Sequence, residues 1–93
     1  MDFLIAFGQV FRAARERSAL TQAQLGLNAG IHPNTVGFIE RGEVGVSLNI
    51  LNTLCEEMGY KPWELLLETQ YLLDGAWDVI GSETPLEPSS PKN

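Results

Sequence analysis

Residues 21–42 restrict the fold of this chain more than any other part of it. The stretch reads TQAQLGLNAGIHPNTVGFIERG and holds two helix starts and two helix stops. Thr21 can cap a helix through its hydroxyl, and Gly30 supplies the left-handed residue that often ends one. Pro33 suits the first position of a second helix, and Gly42 follows that helix. The sequence therefore predicts two short helices joined by a tight turn.

Residue sizes along this stretch predict how the two helices pack. Gly26 is small where the helices must approach closely, and Ile31 fills the angle between them. Val36 and Ile39 lie three residues apart and are expected to face the core. The opposite face of the second helix is then expected to point outward, with Asn34, Thr35, Gly37 and Phe38 on it. An outward Phe beside Asn and Thr is unusual in a helix with only a structural role.

The rest of the chain predicts further helices and no strands. Phe3, Phe7, Val10, Phe11 and Ala14 recur at helical spacing on one face. The expected class is all-α with five helices, over residues 3–17, 22–29, 33–41, 48–58 and 62–67. The proline-rich end, residues 81–93, is expected to be disordered.

The composition assigns no catalytic chemistry. The chain has 93 residues, enough for one domain, and 44% of them are hydrophobic. Cys55 is the single cysteine and lies in an apolar run, which indicates a buried side chain, and His32 is the single histidine. We expect no catalytic residues, no metal, no cofactor and a cytoplasmic, non-enzymatic protein. No apolar run approaches the ~20 residues of a membrane span, so a membrane partner is not expected.

The net charge of −6 has the wrong sign for non-specific binding to nucleic acid. The negative charge is unevenly distributed along the chain, however. Residues 1–67 hold five basic and seven acidic side chains, whereas residues 68–93 hold one basic and five acidic ones. Most of the excess negative charge therefore lies in the last quarter of the chain, which need not approach a polyanion.

The chain resembles the Cro/C1-type helix-turn-helix family, also called XRE, over roughly residues 6–67. The motifs that carry the resemblance are Thr21-Gln22-x-x-Leu25-Gly26, Ala29-Gly30-Ile31, Ile39-Glu40-Arg41-Gly42, Leu48-x-x-Leu51-x-x-Leu54-Cys55-x-x-Met58-Gly59 and Leu65-Leu66. The resemblance implies a five-helix, lambda-repressor-like DNA-binding bundle with a C-terminal extension. Its third helix would read bases in the major groove.

The expected DNA contacts are of two kinds. Asn34 would bond to adenine, which its amide geometry suits, Phe38 would lie against a thymine methyl or a sugar edge, and Thr35 would touch a base or a phosphate. Backbone contacts are expected from four residues: Gln22, which the family pattern places there, His32, Arg41 and Arg12. The loop 43–46 carries no Lys or Arg, so phosphate binding there would use main-chain amides, with Arg41.

The resemblance also implies an ion pair between an Arg of the first helix and the Glu before the second glycine stop. These positions are Arg15 and Glu40. We expect a partly buried pair that holds the fold together and does not read DNA. His32 stands where the family usually has a Ser or Thr cap, and its ring nitrogen can replace the hydroxyl.

A self-complementary apolar patch is expected to make the protein a dimer. We divide the chain into a helix-turn-helix domain (1–67), an apolar dimerisation segment (68–80) and the tail (81–93). The expected interface residues are Ile50, Leu66, Tyr71, Leu72, Trp77 and Ile80, within a patch that also includes Leu65, Leu73 and Val79. In the alternative, Trp77 and Ile80 fold back beside Phe3 and Phe7.

Two functions fit these features. The first is a dimeric transcriptional repressor or autoregulator that reads a palindromic double-stranded DNA operator; a restriction–modification controller would fall in this class. The second is an antitoxin or adapter of the same fold, whose main partner is a toxin or another protein. Retention on DNA at low and moderate salt separates them.

Overall fold

The computed structural model describes residues 1–75, which form five helices and no strand. They are α1 (Phe3–Arg17), α2 (Gln22–Ala29), α3 (Pro33–Glu40), α4 (Leu48–Met58) and α5 (Pro62–Leu73). The predicted all-α class is confirmed. Within this part of the chain, no helix has the length and apolar character needed to cross a membrane. The predictions on Trp77, Val79, Ile80 and the tail 81–93 lie outside the described residues.

Local hydrogen bonds begin and end the helices where the sequence predicts. Thr21 Oγ1 accepts from the amide of Gln24 at 3.0 Å, and the Gln24 side chain accepts from the amide of Thr21 at 2.8 Å. His32 Nδ1 accepts from the amide of Asn34 at 3.0 Å, so the imidazole does cap α3. Gly30 ends α2 with φ 76°, a left-handed conformation that favours glycine.

The core lies where α1 packs on α3 and α5 while α2 packs on α3 and α4. Its largest fully buried apolar side chains are Val10, Phe11, Leu25, Val36, Ile39, Leu54 and Leu65. Cys55 is also fully buried, as its apolar surroundings predict, and burial raises the pKa of its thiol to about 11. Phe3, at the start of the predicted apolar face of α1, remains exposed.

Two glycines let backbones touch. A Cβ on Gly26 would lie 2.8 Å from the carbonyl oxygen of Ile31, which confirms the predicted close approach of α2 to the start of α3. A Cβ on Gly8 would lie 2.5 Å from the carbonyl oxygen of Glu40. The middle of α1 therefore crosses the end of α3 with no side chain between them, which sequence reasoning did not anticipate.

One expectation about helix length and two about orientation are wrong. α5 extends six residues beyond Leu67, and its core-facing side is formed by Leu65, Thr69 and Leu72 at helical spacing. Leu65 is therefore part of the core and not of an exposed patch. Gly37 is buried, because the side chains of Gln22 and Arg41 lie over it. Ile50 is half-buried and packs against the core.

Candidate nucleic-acid interface

One face of α3 packs against the core, and another face is exposed to solvent. Val36 and Ile39 are buried, as predicted, and fix the helix against the core. Asn34 is exposed and Phe38 keeps 39% of its surface exposed, whereas Thr35 is half-buried. The three residues predicted to touch bases therefore lie on one eight-residue helix, with an exposed amide and an exposed aromatic ring four residues apart.

A buried polar network fixes α3 to α1 and α2. Arg15 donates from Nε to Glu40 Oε2 at 2.5 Å and from Nη2 to Glu40 Oε1 at 3.1 Å. Its remaining terminal nitrogen, Nη1, donates to the carbonyl oxygen of Leu20 at 2.9 Å. The hydrogen bond with Glu40 raises the pKa of Arg15, burial opposes this, and the carboxylate charge adds to the rise. The structure thus contains the ion pair that the family resemblance implies.

Gln22 belongs to the same network. Its Nε2 donates to Glu40 Oε1 at 3.0 Å, and the side chain is part-buried. This contact was not foreseen, because sequence reasoning assigned Gln22 to phosphate alone. An amide nitrogen carries two hydrogens, so one remains for another acceptor. Glu40 therefore connects the first residue of α2 to α1 through one carboxylate.

Arg41 lies folded back over the last turn of α3. Its Nε donates to Glu43 Oε2 at 2.8 Å, and its guanidinium carbon lies 5.2 Å from the ring centroid of Phe38. A Cβ on Gly37 would lie 3.1 Å from Arg41 Nη1, so glycine leaves room for this conformation. We call Gly37, Phe38, Arg41 and Glu43 the Arg41 cluster. The geometry of this cluster depends on the path of the loop after α3, so no sequence pattern predicted it.

Each of the four arginines in residues 1–75 is paired with a carboxylate. Arg12 contacts Glu16 at 3.1 Å on the surface of α1, besides the Arg15–Glu40 and Arg41–Glu43 pairs. Arg17 contacts Glu68 at 3.4 Å and donates to the Tyr60 hydroxyl at 2.9 Å. Because these residues hold nine acidic and five basic side chains, the described part carries a net charge of −4.

The described members of the predicted dimer interface differ in exposure. Leu66 is 38% exposed, whereas Tyr71 and Leu72 are half-buried and Leu72 packs against the core. Trp63, three residues before Leu66 and on the same side of α5, is 43% exposed. Sequence reasoning did not single it out. Leu66 and Trp63 form the exposed apolar side of α5.

Two eight-residue helices that meet at a glycine, with the second exposing a polar and aromatic face, define a helix-turn-helix protein. The chain belongs to the family described as "Helix-turn-helix domain", whose model matches residues 6–62. It is a Cro/C1-type helix-turn-helix regulator of transcription that binds DNA.

Solved structures agree with this assignment. The restriction–modification controller protein C.AhdI from Aeromonas hydrophila is 35% identical, with a TM-score of 0.65, covering 67% of this chain and 94% of that chain. The clp gene regulator ClgR from Corynebacterium glutamicum is 24% identical with a TM-score of 0.72, covering 75% of this chain and 90% of that one; this likeness shows the fold. Among curated proteins, none matches this chain.

One similar structure is called FeII HppE in complex with substrate. It is 27% identical with a TM-score of 0.63, and the likeness covers 67% of this chain but 36% of that one. The similarity is therefore to a part of HppE and carries no catalytic role over. Among residues 1–75, no group of three or more His, Cys, Asp or Glu side chains is placed to hold a metal ion.

Proposed function

We propose that this regulator acts as a dimeric repressor or autoregulator that reads a palindromic operator with α3. One observation carries the proposal: α3 is fixed from behind by Val36, Ile39 and the Glu40 network, while Asn34 and Phe38 remain exposed on it. A reading helix needs this combination, because the direction of its side chains must be set before DNA arrives. A 35% identical relative is named as a controller of restriction–modification, so control of such an operon is one form of this role.

Base recognition is proposed for three side chains of α3. The amide of Asn34 matches the donor and acceptor that adenine presents in the major groove, a pairing worth ~1–3 kcal/mol against a wrong base. Phe38 offers an apolar edge to a thymine methyl. Thr35 is half-buried, and its hydroxyl would contact a phosphate or a base.

Four further side chains are proposed to contact the phosphate backbone. Gln22 retains one amide hydrogen at the start of α2, and His32 is exposed at the start of α3. Arg12 and Arg41 would exchange a carboxylate partner for a phosphate. Their present pairs are solvent-exposed, and such pairs are worth about 0–1 kcal/mol, so each exchange costs at most about that much.

Selection of bound duplexes from random DNA tests this function. We expect a palindrome with half-sites about one turn (~34 Å) apart. Asn34→Ala should then relax the preference at one base pair of each half-site, whereas Asn28→Ala, which changes an exposed Asn of α2, should leave it unchanged. Phe38→Ala should weaken the selected site, with Phe3→Ala as its control. Recovery of no common sequence would refute the reading role.

Dimerisation is proposed through the exposed side of α5 together with the other predicted interface residues (Ile50, Tyr71, Leu72, Trp77 and Ile80). Leu66→Asp would place a charge in the interface and should make the protein sediment as a monomer at micromolar concentration. Leu27→Asp adds the same charge at a residue that is 74% exposed on α2 and should leave the dimer intact. A dimeric Leu66→Asp variant would place the interface elsewhere.

A protein-binding antitoxin or adapter remains a second candidate because of the charge arrangement. Each described arginine already has a carboxylate partner, and the described residues carry a net charge of −4. Retention on DNA at low and at moderate salt decides between the two functions. A protein that is retained at neither would act mainly through a protein partner.

A further inference from the structure

We propose that Glu43 limits DNA affinity by holding Arg41 in its folded-back position, and that Arg41 is released to a phosphate when DNA binds. The inference rests on the proposed DNA-reading role of α3. It assigns to Glu43 a role as competitor for the phosphate, and it makes Arg41 a contact that the free protein withholds.

The geometry of the Arg41 cluster supports this role. Arg41 lies against Phe38, one of the proposed base-reading residues of α3. The Glu43 carboxylate holds it at 2.8 Å, the face of the Phe38 ring packs against it, and Gly37 leaves room for it. In this position the guanidinium covers part of the ring that is proposed to meet a base. Both members of the ion pair are about half exposed, at 55% and 51% of their side-chain surface. Water and a competing anion can therefore reach the pair.

A phosphate and a carboxylate bind a guanidinium through the same forked geometry. Arg41 has one guanidinium, so its Nε hydrogen cannot serve Glu43 and a phosphate fully at the same time. When α3 enters the groove, Glu43 would also stand close to the DNA backbone with no cation to neutralise it. Glu43 thus opposes binding twice, first by occupying Arg41 and then by its own charge.

Glu43→Gln removes the charge and keeps the size of the side chain. Each phosphate that a basic side chain neutralises adds ~0.9 to the slope of log affinity against log salt. Because Arg41 reaches a phosphate in both proteins, the variant should bind DNA up to about five-fold more tightly per subunit at 50 mM salt, which is the most that loss of an exposed ion pair accounts for, while its slope stays close to that of the wild type. Glu56→Gln is the matched control, since it removes the same charge from an exposed position of α4. It should change neither quantity appreciably.

A duplex of fixed sequence and the selected operator serve as probes, titrated from 50 to 300 mM salt. Arg41→Ala should lower the slope by ~0.9 per subunit in both backgrounds, because it removes one phosphate contact, and it should reduce the gain that Glu43→Gln gives. In the free protein, the Nε–Hε signal of Arg41 in an NMR spectrum should shift and exchange faster with water in Glu43→Gln. Arg41→Ala identifies that signal by its loss.

The outcomes separate this inference from the proposed function. If the wild type binds and Glu43→Gln binds no better than Glu56→Gln, the competition is refuted and the DNA-reading role stands. If Arg41→Ala leaves the salt slope of the wild type unchanged, the release of Arg41 to a phosphate is refuted. If the Arg41 signal does not move in Glu43→Gln, the pairing with Glu43 in the free protein is refuted. If neither the wild type nor Glu43→Gln binds a duplex at 50 mM salt, the proposed function fails and the inference fails with it.

Discussion

Glu40→Ala is the substitution with the largest expected effect on folding. The carboxylate accepts three hydrogen bonds, two from Arg15 and one from Gln22, and the ion pair is nearly closed to water. The side chains of Arg15 and Glu40 expose 10% and 3% of their surface. Removing the carboxylate leaves the Arg15 charge buried, with the Leu20 carbonyl as its remaining hydrogen-bond partner. Its cost is therefore that of an unpaired buried charge.

Breaking one half of a buried pair costs on the order of 3–5 kcal/mol. Domains of this size unfold with about 5–15 kcal/mol in total, so much of the stability is lost. At ~4–8 °C per kcal/mol, the melting temperature should fall by roughly 12–40 °C. Thermal unfolding followed by circular dichroism measures this. Glu57→Ala, at an exposed position of α4, is the control and should stay within about 0.5 kcal/mol.

A double-mutant cycle tests whether the effect belongs to the pair. Replacing Arg15 by Met and Glu40 by Leu together removes both buried charges, so the double variant should recover much of the stability that either single change loses. The reasoning would be refuted if the two single effects simply add, or if Glu40→Ala lowers the free energy of unfolding by less than about 1 kcal/mol.

Two other predictions follow from burial. Gly8→Ala should destabilise the fold by about 1–3 kcal/mol in a denaturant titration, because the new methyl group would meet the Glu40 carbonyl. Gly45→Ala is the control and should be nearly neutral, since its Cβ would make only an ordinary contact at 3.7 Å. If Gly8→Ala is equally neutral, α1 and α3 do not cross with their backbones in contact. Burial raises the Cys55 pKa to about 11, above the ~8.5 of an unfolded thiol, so the fold favours the protonated form. The protonated thiol contributes fully to the free energy of unfolding below about pH 8.5, and this contribution should be lost as the pH rises toward 11. Cys55→Ala should lack this part of the pH dependence. If the free energy of unfolding varies with pH in the same way in Cys55→Ala and the wild type, burial of the thiol does not have this effect.

The helix boundaries were predictable because their signals are local. A Thr, His or Ser before an apolar-periodic stretch and a glycine after it act within one turn of backbone. The end of α5 has such a signal in Gly75, whose φ is 81°, but the sequence prediction ended the helix at Leu67. Thr69 is fully buried there, and its hydroxyl donates to the Leu65 carbonyl at 2.7 Å within its own helix. A threonine is normally predicted to be exposed, and the sequence does not show that its hydroxyl is hydrogen-bonded within the helix. The apolar pattern therefore seemed to stop at Leu67.

The candidate site was predictable only where it follows helical spacing. Val36 and Ile39 face inward for that reason, and Asn34 and Phe38 are exposed. Gly37 was assigned to the wrong side, since a residue without a side chain carries no orientation signal of its own. The Arg41 cluster could not be predicted from the sequence, because it depends on where the loop after α3 places the Glu43 carboxylate.

The crossing at Gly8 also limits how the protein can move. Where backbone lies against backbone, there is no side chain whose rotamer can change to let one helix slide past the other. Gly26 places the same restriction between α2 and the start of α3. We therefore expect these two contacts to resist sliding of α3 against α1 and α2. In the proposed dimer, the spacing and angle of the two copies of α3 would then be set mainly by how the subunits pair, because these contacts hold α3 within its own subunit.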